Sequence, residues 1–185
     1  MLAYVFWHWK RPDVDRESYE TVQRQFHERL AEAPSAGLVG SWTSSVIGVG
    51  WAPPDAVVYE DWYLIEGSAA LDALNDAAVT GRRALSHDAA ARLAAGGTAG
   101  LYRLRGGHLI TNVRTASWFS KPMEITRAAL DAEVEHALGG LRFALWMRQM
   151  VLGPTPEFCV QTDLDRPAPL PWPADAEIRL RPVWP

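Results

Sequence analysis

Two stretches of the 185-residue chain carry side chains able to move a proton. The first is Tyr4-Val5-Phe6-Trp7-His8-Trp9-Lys10, a histidine near the end of an aromatic run. The second is Tyr59-Glu60-Asp61-Trp62-Tyr63, two carboxylates side by side among aromatic rings. An imidazole titrates near neutral pH and a carboxylate beside it fixes its orientation, so such a pair works as a general acid/base if one cavity holds both. Glu60 and Asp61 are adjacent on an extended run and therefore point to opposite faces of a sheet. Where both faces are covered, at least one enters an apolar interior, where an unpaired carboxylate is costly and its pKa rises. A buried pair that satisfies itself, with no substrate, is the plain alternative.

Other chemistry finds less support. His87 follows Ser86 at an expected helix start, where it either overhangs a site or lies in solvent. His27 and His136 sit beside apolar stripe residues on helix flanks and are given no role. No two histidines have i,i+4 spacing and Cys159 is the single cysteine, so neither a metal site nor an internal disulfide is expected. Gly48-Val49-Gly50 and Gly96-Gly97 lack the Lys-Ser/Thr of a phosphate loop and read as turns. Lys plus Arg number 18 against 22 Asp plus Glu, a net charge of -4 without the basic stripe that nucleic acid requires, so nucleic acid is not expected as a partner. No apolar run approaches the roughly 18 residues of a membrane span, and Met1 to Lys10 is too short and too aromatic for a signal peptide. No membrane partner and a cytoplasmic location are expected.

Hydrophobic residues make up 48% of the chain, enough for a sizeable core. Trp7, Trp9, Trp42, Trp62, Trp118 and Trp146, six of nine tryptophans, fall in expected strands. The interior is therefore aromatic, as plain core or as the lining of an apolar ligand pocket.

The elements follow from periodicity and breakers. Residues 1–10 read as a strand. Residues 15–33 read as a helix with the stripe Tyr19, Val22, Phe26, Leu30 and Ala33, capped by Asp13 or Asp15. Strands over 38–47 and 56–65 form a hairpin. A broken helix follows, capped first at Ser68 and again at Ser86, ended by Gly96-Gly97 and followed by a strand over 101–105. This β-α-β-β-α-β order is the split arrangement of a ferredoxin-like sandwich. It restarts with a strand over 108–120, a helix over 122–138 carrying Met123, Leu130 and Val134, and strands over 141–152, 157–164 and 177–183. A Pro-rich stretch from Arg166 to Pro173 stands where the second helix would be. Lys10 and Lys121, the only lysines, precede the first helix of each run, and Gly37-Leu38 is echoed by Gly140-Leu141. The expected fold is α+β: two fused ferredoxin-like repeats, 1–106 and 107–185, with antiparallel sheets packed face to face as a barrel and the second repeat lacking its second helix.

Val57-Val58-Tyr59-Glu60-Asp61-Trp62 followed by Ala70-Leu71-Asp72-Ala73-Leu74 resembles the dimeric α+β barrel superfamily, to which antibiotic-biosynthesis-monooxygenase-like proteins belong. The resemblance implies an intrachain pseudo-dimer, with a further homodimer left open, and Glu60 facing the barrel. Strand parity is read as placing Ala3 and Val5 under the helices and His8 toward the barrel, which makes His8 and Glu60 the candidate catalytic pair. Tyr4, Phe6, Trp42, Trp62, Tyr63, His87, Trp146 and Arg148 are the candidate substrate-binding residues. The implied activity is cofactor-independent oxygenation or isomerisation of a small apolar or aromatic, polyketide-like molecule. Some relatives bind haem, for which His8 or His87 would be the axial ligand. A filled barrel acting as a binding or assembly module is the third reading. Leu74 stands where many relatives carry a helix histidine, so chemistry tied to that histidine is not expected.

Overall fold

The computed structural model describes residues 1–185, the side chain of Arg82 excepted. β1 (Leu2–Lys10), α1 (Arg16–Glu32), β2 (Leu38–Ile47), β3 (Val58–Ile65), α2 (Ala70–Ala78), α3 (Gly81–Leu93) and β4 (Ala94–Gly107) form the first run of elements. β5 (Thr115–Phe119), α4 (Arg127–Ala137), β6 (Phe143–Arg148), β7 (Phe158–Thr162) and β8 (Ala176–Trp184) form the second. The eight strands close into one antiparallel barrel in the order β1-β3-β2-β8-β5-β7-β6-β4. Read around the barrel, β4-β1-β3-β2 is followed by β8-β5-β7-β6, and β2–β8 and β4–β6 hydrogen bonds close the seams. The edges that two separate sheets would leave are thereby removed.

The barrel is packed solid. Trp7, Trp62, Tyr102, Trp118 and Trp146 point inward and are fully buried, with ring centroids 5.1–6.3 Å apart. Ala3, Val5, Ala116 and Ala144 lie among them. This corrects the expected parity of β1, because the small Ala3 and Val5 are needed inside, where indoles from other strands take the space. His8 consequently faces the helices.

Each half of the barrel also has an outer face. On the first, α1 and α2 bring Phe26, Leu30, Ala70 and Leu74 against Leu2, Tyr63, Ile65 and Leu101. On the second, α4 and the Pro-rich stretch bring Leu130, Val134, Leu138 and Ala168 against Phe119, Phe158 and Val160, with Leu170 and Trp172 packed alongside. The Pro-rich segment thus covers the sheet where the first half uses a helix.

Several boundaries differ from expectation. β4 begins at Ala94, so Gly96 and Gly97 are strand residues. A Cβ at Gly97 would lie 2.4 Å from the Phe6 ring, and one at Gly96 2.9 Å from the Trp9 ring, so these glycines make room for β1 rather than ending a helix. α3 starts at Gly81 with Ser86 inside it, and α2 follows Ala69 without a side-chain cap. α4 starts at Arg127, leaving Met123 91% exposed instead of on a buried stripe. β5 is confined to five residues.

Asp15 caps α1 by accepting from the Ser18 N–H at 2.8 Å, and Thr126 caps α4 by accepting from the Ala129 N–H at 3.1 Å. Lys10 Nζ donates to the Arg11 and Val14 carbonyls, and Lys121 Nζ to those of Pro122 and Ile125, so each lysine fastens the turn between a strand and its helix. Thr126→Ala is expected to cost about 1 kcal/mol in urea unfolding. Asp15→Ala should lower stability in the same assay, while Asp13→Ala, whose carboxylate only meets Arg11 in solvent, should leave it unchanged.

Candidate active site

The alternation of β3 sends Glu60 and Asp61 into different environments. Glu60 turns into the barrel, where its carboxyl accepts from the indole N–H groups of Trp7, at 2.6 Å, and Trp62. Burial pushes its pKa up to about 7, against the two indole hydrogen bonds that favour the anion. Asp61 turns outward, beneath the helices. Its Oδ2 accepts from the Tyr63 hydroxyl at 2.9 Å, and its Oδ1 lies 3.1 Å from His8 Nε2 and 3.5 Å from His27 Nε2. Burial would raise this carboxyl too, but the charge that His8 and His27 carry when protonated outweighs it and holds Asp61 well below the usual carboxylate range.

His8 and Glu60 are therefore not a pair. They lie on opposite faces of one sheet, and the carboxylate beside His8 is Asp61. The His8 ring stacks between Phe6 and Tyr59, with centroids at 5.2 and 5.7 Å, and its Nδ1 is hydrogen-bonded to the Tyr19 hydroxyl at 2.7 Å. Burial raises the Tyr19 pKa, with Asp61 adding to the effect, so the phenol stays protonated and donates to the imidazole. His27, given no role by the sequence, is fully buried, with Nδ1 2.8 Å from Ser41 Oγ. Neither Nε2–Oδ1 approach has the alignment of a hydrogen bond, and Asp61 Oδ1 and both Nε2 atoms are buried without another partner.

Above this cluster lies a cavity of about 720 Å³ between the outer face of β1, β3 and β4 and helices α1, α2 and α3. His8, Tyr19, Gln23, Asp61 and Tyr63 contribute polar groups to it. Tyr4, Phe6, Phe26, Leu71, Leu74 and alanines of α3 supply apolar walls, with His87 among the lining residues. Of the residues read from sequence, Tyr4, Phe6, His8, Tyr63 and His87 meet here. Trp42, Trp62 and Trp146 belong to the barrel interior, and Arg148 donates to the Thr155 and Gly153 carbonyls of a turn beyond β6. The residues expected to line one cavity inside the barrel are thus divided between the barrel interior and a cavity outside it.

Tyr19, Gln23, His27 and Ser41 were missed as site residues, and of the two candidate carboxylates Glu60 was preferred to Asp61. A signal existed on the helix: Tyr19, Gln23 and His27 recur every four residues on the same buried side as Phe26 and Leu30. Polar groups on an apolar stripe are expensive unless something pairs with them. Among the described residues, no three His, Cys, Asp or Glu groups are placed to hold a metal ion.

The fold matches solved structures at low sequence identity. A putative monooxygenase from Lactobacillus acidophilus superposes with a TM-score of 0.57 and 9% identity, covering 98% of this chain and 94% of that one. A putative chlorite dismutase gives 0.53 and 12%, covering 98% and 95%. No protein-family model and no curated protein sequence matches the chain. The structure is thus an α+β barrel of eight antiparallel strands, similar to these ferredoxin-like folds. Among the described residues, no helix is long and apolar enough to cross a membrane.

The state of Glu60 is directly testable. A carboxyl raised from 4.5 to about 7 stabilises the fold fully below pH 4.5 and loses that contribution as the pH rises through 7. At 1.36 kcal/mol per tenfold this is about 3 kcal/mol. Glu60→Gln has no such titration, so its stability relative to the parent protein should rise by about 3 kcal/mol between pH 4 and pH 8 in urea unfolding. A constant difference across that range would show that folding leaves the Glu60 pKa at its unfolded value.

Proposed function

We propose that the protein binds one small apolar or aromatic molecule in the outer cavity and transfers a proton to or from it through Tyr19, His8 and Asp61. One observation carries this reading. Against the same sheet face of the second half stand Phe119, Leu130, Leu138, Phe158 and Val160 in place of a polar cluster, with Ala168, Leu170 and Trp172 filling the space above. The architecture closes without buried histidines or a carboxylate, so those of the first half are retained at a cost in stability. The recurring strand order and the matching Lys10 and Lys121 bonds support 1–106 and 107–185 as fused repeats, one of which keeps an open site. Intrachain pairing would make one chain sufficient for the barrel. A cytoplasmic location belongs to the same reading.

The chemistry follows from the contacts. As a bound hydroxyl or activated C–H is deprotonated, Tyr19 takes that proton and passes its own to His8 Nδ1. The imidazolium is stabilised by Asp61, 3.1 Å from Nε2. Return of the proton at another carbon is an isomerisation. Attack of the resulting carbanion on O2 as co-substrate is an oxygenation, the activity named for one structural neighbour. Apolar walls keep water from the anion.

Haem fits the described residues poorly. An axial histidine needs a nitrogen free toward the cavity, whereas His8 has Nδ1 on Tyr19 and Nε2 against Asp61. His87 on α3 has Nδ1 3.3 Å from Asp88, which leaves its Nε2 free, but no lysine or arginine among the described lining residues would meet the propionates. No step is therefore assigned to it. Titration with haem should give no shifted Soret band.

Native mass spectrometry, compared with the denatured mass, should reveal a retained small aromatic compound. A bare mass, together with no binding across a panel of phenols and hydroquinones, would favour a non-catalytic module. With a compound in hand, Asp61→Asn should leave occupancy unchanged and lower turnover by roughly 10²–10⁴-fold, followed as product formation or O2 uptake.

A further inference from the structure

Asp61 has two imidazoles against one oxygen, but only one of them, His8, reaches the cavity. His27 is fully buried and held flat against the Tyr63 ring, with centroids 5.5 Å apart and planes inclined by 12°. Its Nδ1 is bound at 2.8 Å to Ser41 Oγ, on the opposite side from Asp61. Ser41 is half-buried on β2. Pairing of β2 with β8 runs over Thr43–Ile47, so Ser41 lies beyond the seam, at an open strand edge. The groups form a line from the cavity to a half-buried residue: Tyr19 hydroxyl, His8, Asp61, His27, Ser41. A merely structural partner for Asp61 would not need a second imidazole whose far nitrogen ends on a half-buried hydroxyl.

We propose that Asp61, His27 and Ser41 are a proton exit from the cavity to solvent at the edge of β2, separate from the route by which ligand enters. This rests on the reading of the cavity as a proton-transfer site. A ligand filling the cavity displaces the water that would otherwise take the proton from His8, so the proton must leave through the protein. In the transfer, His8 Nε2 gives its proton to Asp61 Oδ1 and Asp61 gives it to His27 Nε2. His27 Nδ1 then releases its proton to Ser41 Oγ, whose own hydroxyl proton passes to water. One proton enters and one leaves, which puts His8 and His27 in their other tautomers, and a proton returning from solvent along the same line when the product is reprotonated restores both. Tyr63, holding Oδ2 at 2.9 Å, leaves Oδ1 to rock between the two imidazoles, which suits approaches of 3.1 and 3.5 Å that are not yet aligned.

The test measures exchange of the His27 ring protons with water by NMR on protein labelled with ¹⁵N-histidine, in the free protein and without any ligand. The result is therefore read independently of whether the cavity retains a molecule. His8→Phe closes the cavity end with the residue type that the second half carries at Phe119. In that background Ser41→Ala should slow His27 exchange at least tenfold, and Ser41→Thr, which keeps the hydroxyl, should restore it. Ser41→Ala alone should slow it in the same direction. Equal exchange for alanine, serine and threonine at position 41 in both backgrounds would overturn the proposal and leave His27 as a structural partner of Asp61.

Discussion

Two neighbouring carboxylates on one strand must face opposite ways, and the organisation of the first half of the barrel follows from that constraint. Glu60 enters a space packed with indoles, meets only two N–H donors and holds its proton up to about pH 7. Asp61, one residue on, enters a space where two imidazoles and a phenol converge and stays charged. A one-residue slip of β3 would exchange these environments, putting the aspartate among tryptophans and the glutamate under the helices. Register is therefore fixed from both faces at once. The Trp7–Glu60 and Phe6–Asp61 pairings across β1 hold the aromatic rings in step with the two acids.

The helices complete what the strand begins. α1 delivers Tyr19 to one nitrogen of His8 and His27 to the far side of Asp61, using successive turns of one buried stripe. α2 and α3 wall the cavity over the cluster. In the second half the corresponding sheet face is covered closely by α4 and an extended Pro-rich segment, which fill the space. One architecture thus gives a pocket in one place and a packed core in the other, and the difference lies in what covers the sheet.

Much of this could be read from residues. The helical stripe of α1, the β2–β3 hairpin and the restart of the element order are local patterns, and they survive in the structure. Barrel closure and the side to which β1 turns are not local. Whether Ala3 and Val5 or Tyr4 and Phe6 face inward depends on the volume left by tryptophans from distant strands, which no pattern within one segment encodes. That inversion moved His8 across the sheet and changed its partner from Glu60 to Asp61. Gly96 and Gly97 misled for a related reason: their small size serves rings on a neighbouring strand, not a turn in their own segment.

The apolar packing of Phe119, Leu130, Leu138 and Trp172 has an evolutionary consequence. A fold is marginally stable, and every buried charge spends part of that margin. Here the spending and the saving sit on different halves of one closed barrel, joined by hydrogen bonds along two seams. The second half acts as ballast, so substitutions that retune the cavity can accumulate in the first half without unfolding the whole. A barrel with buried charges under both sets of helices would carry that burden twice.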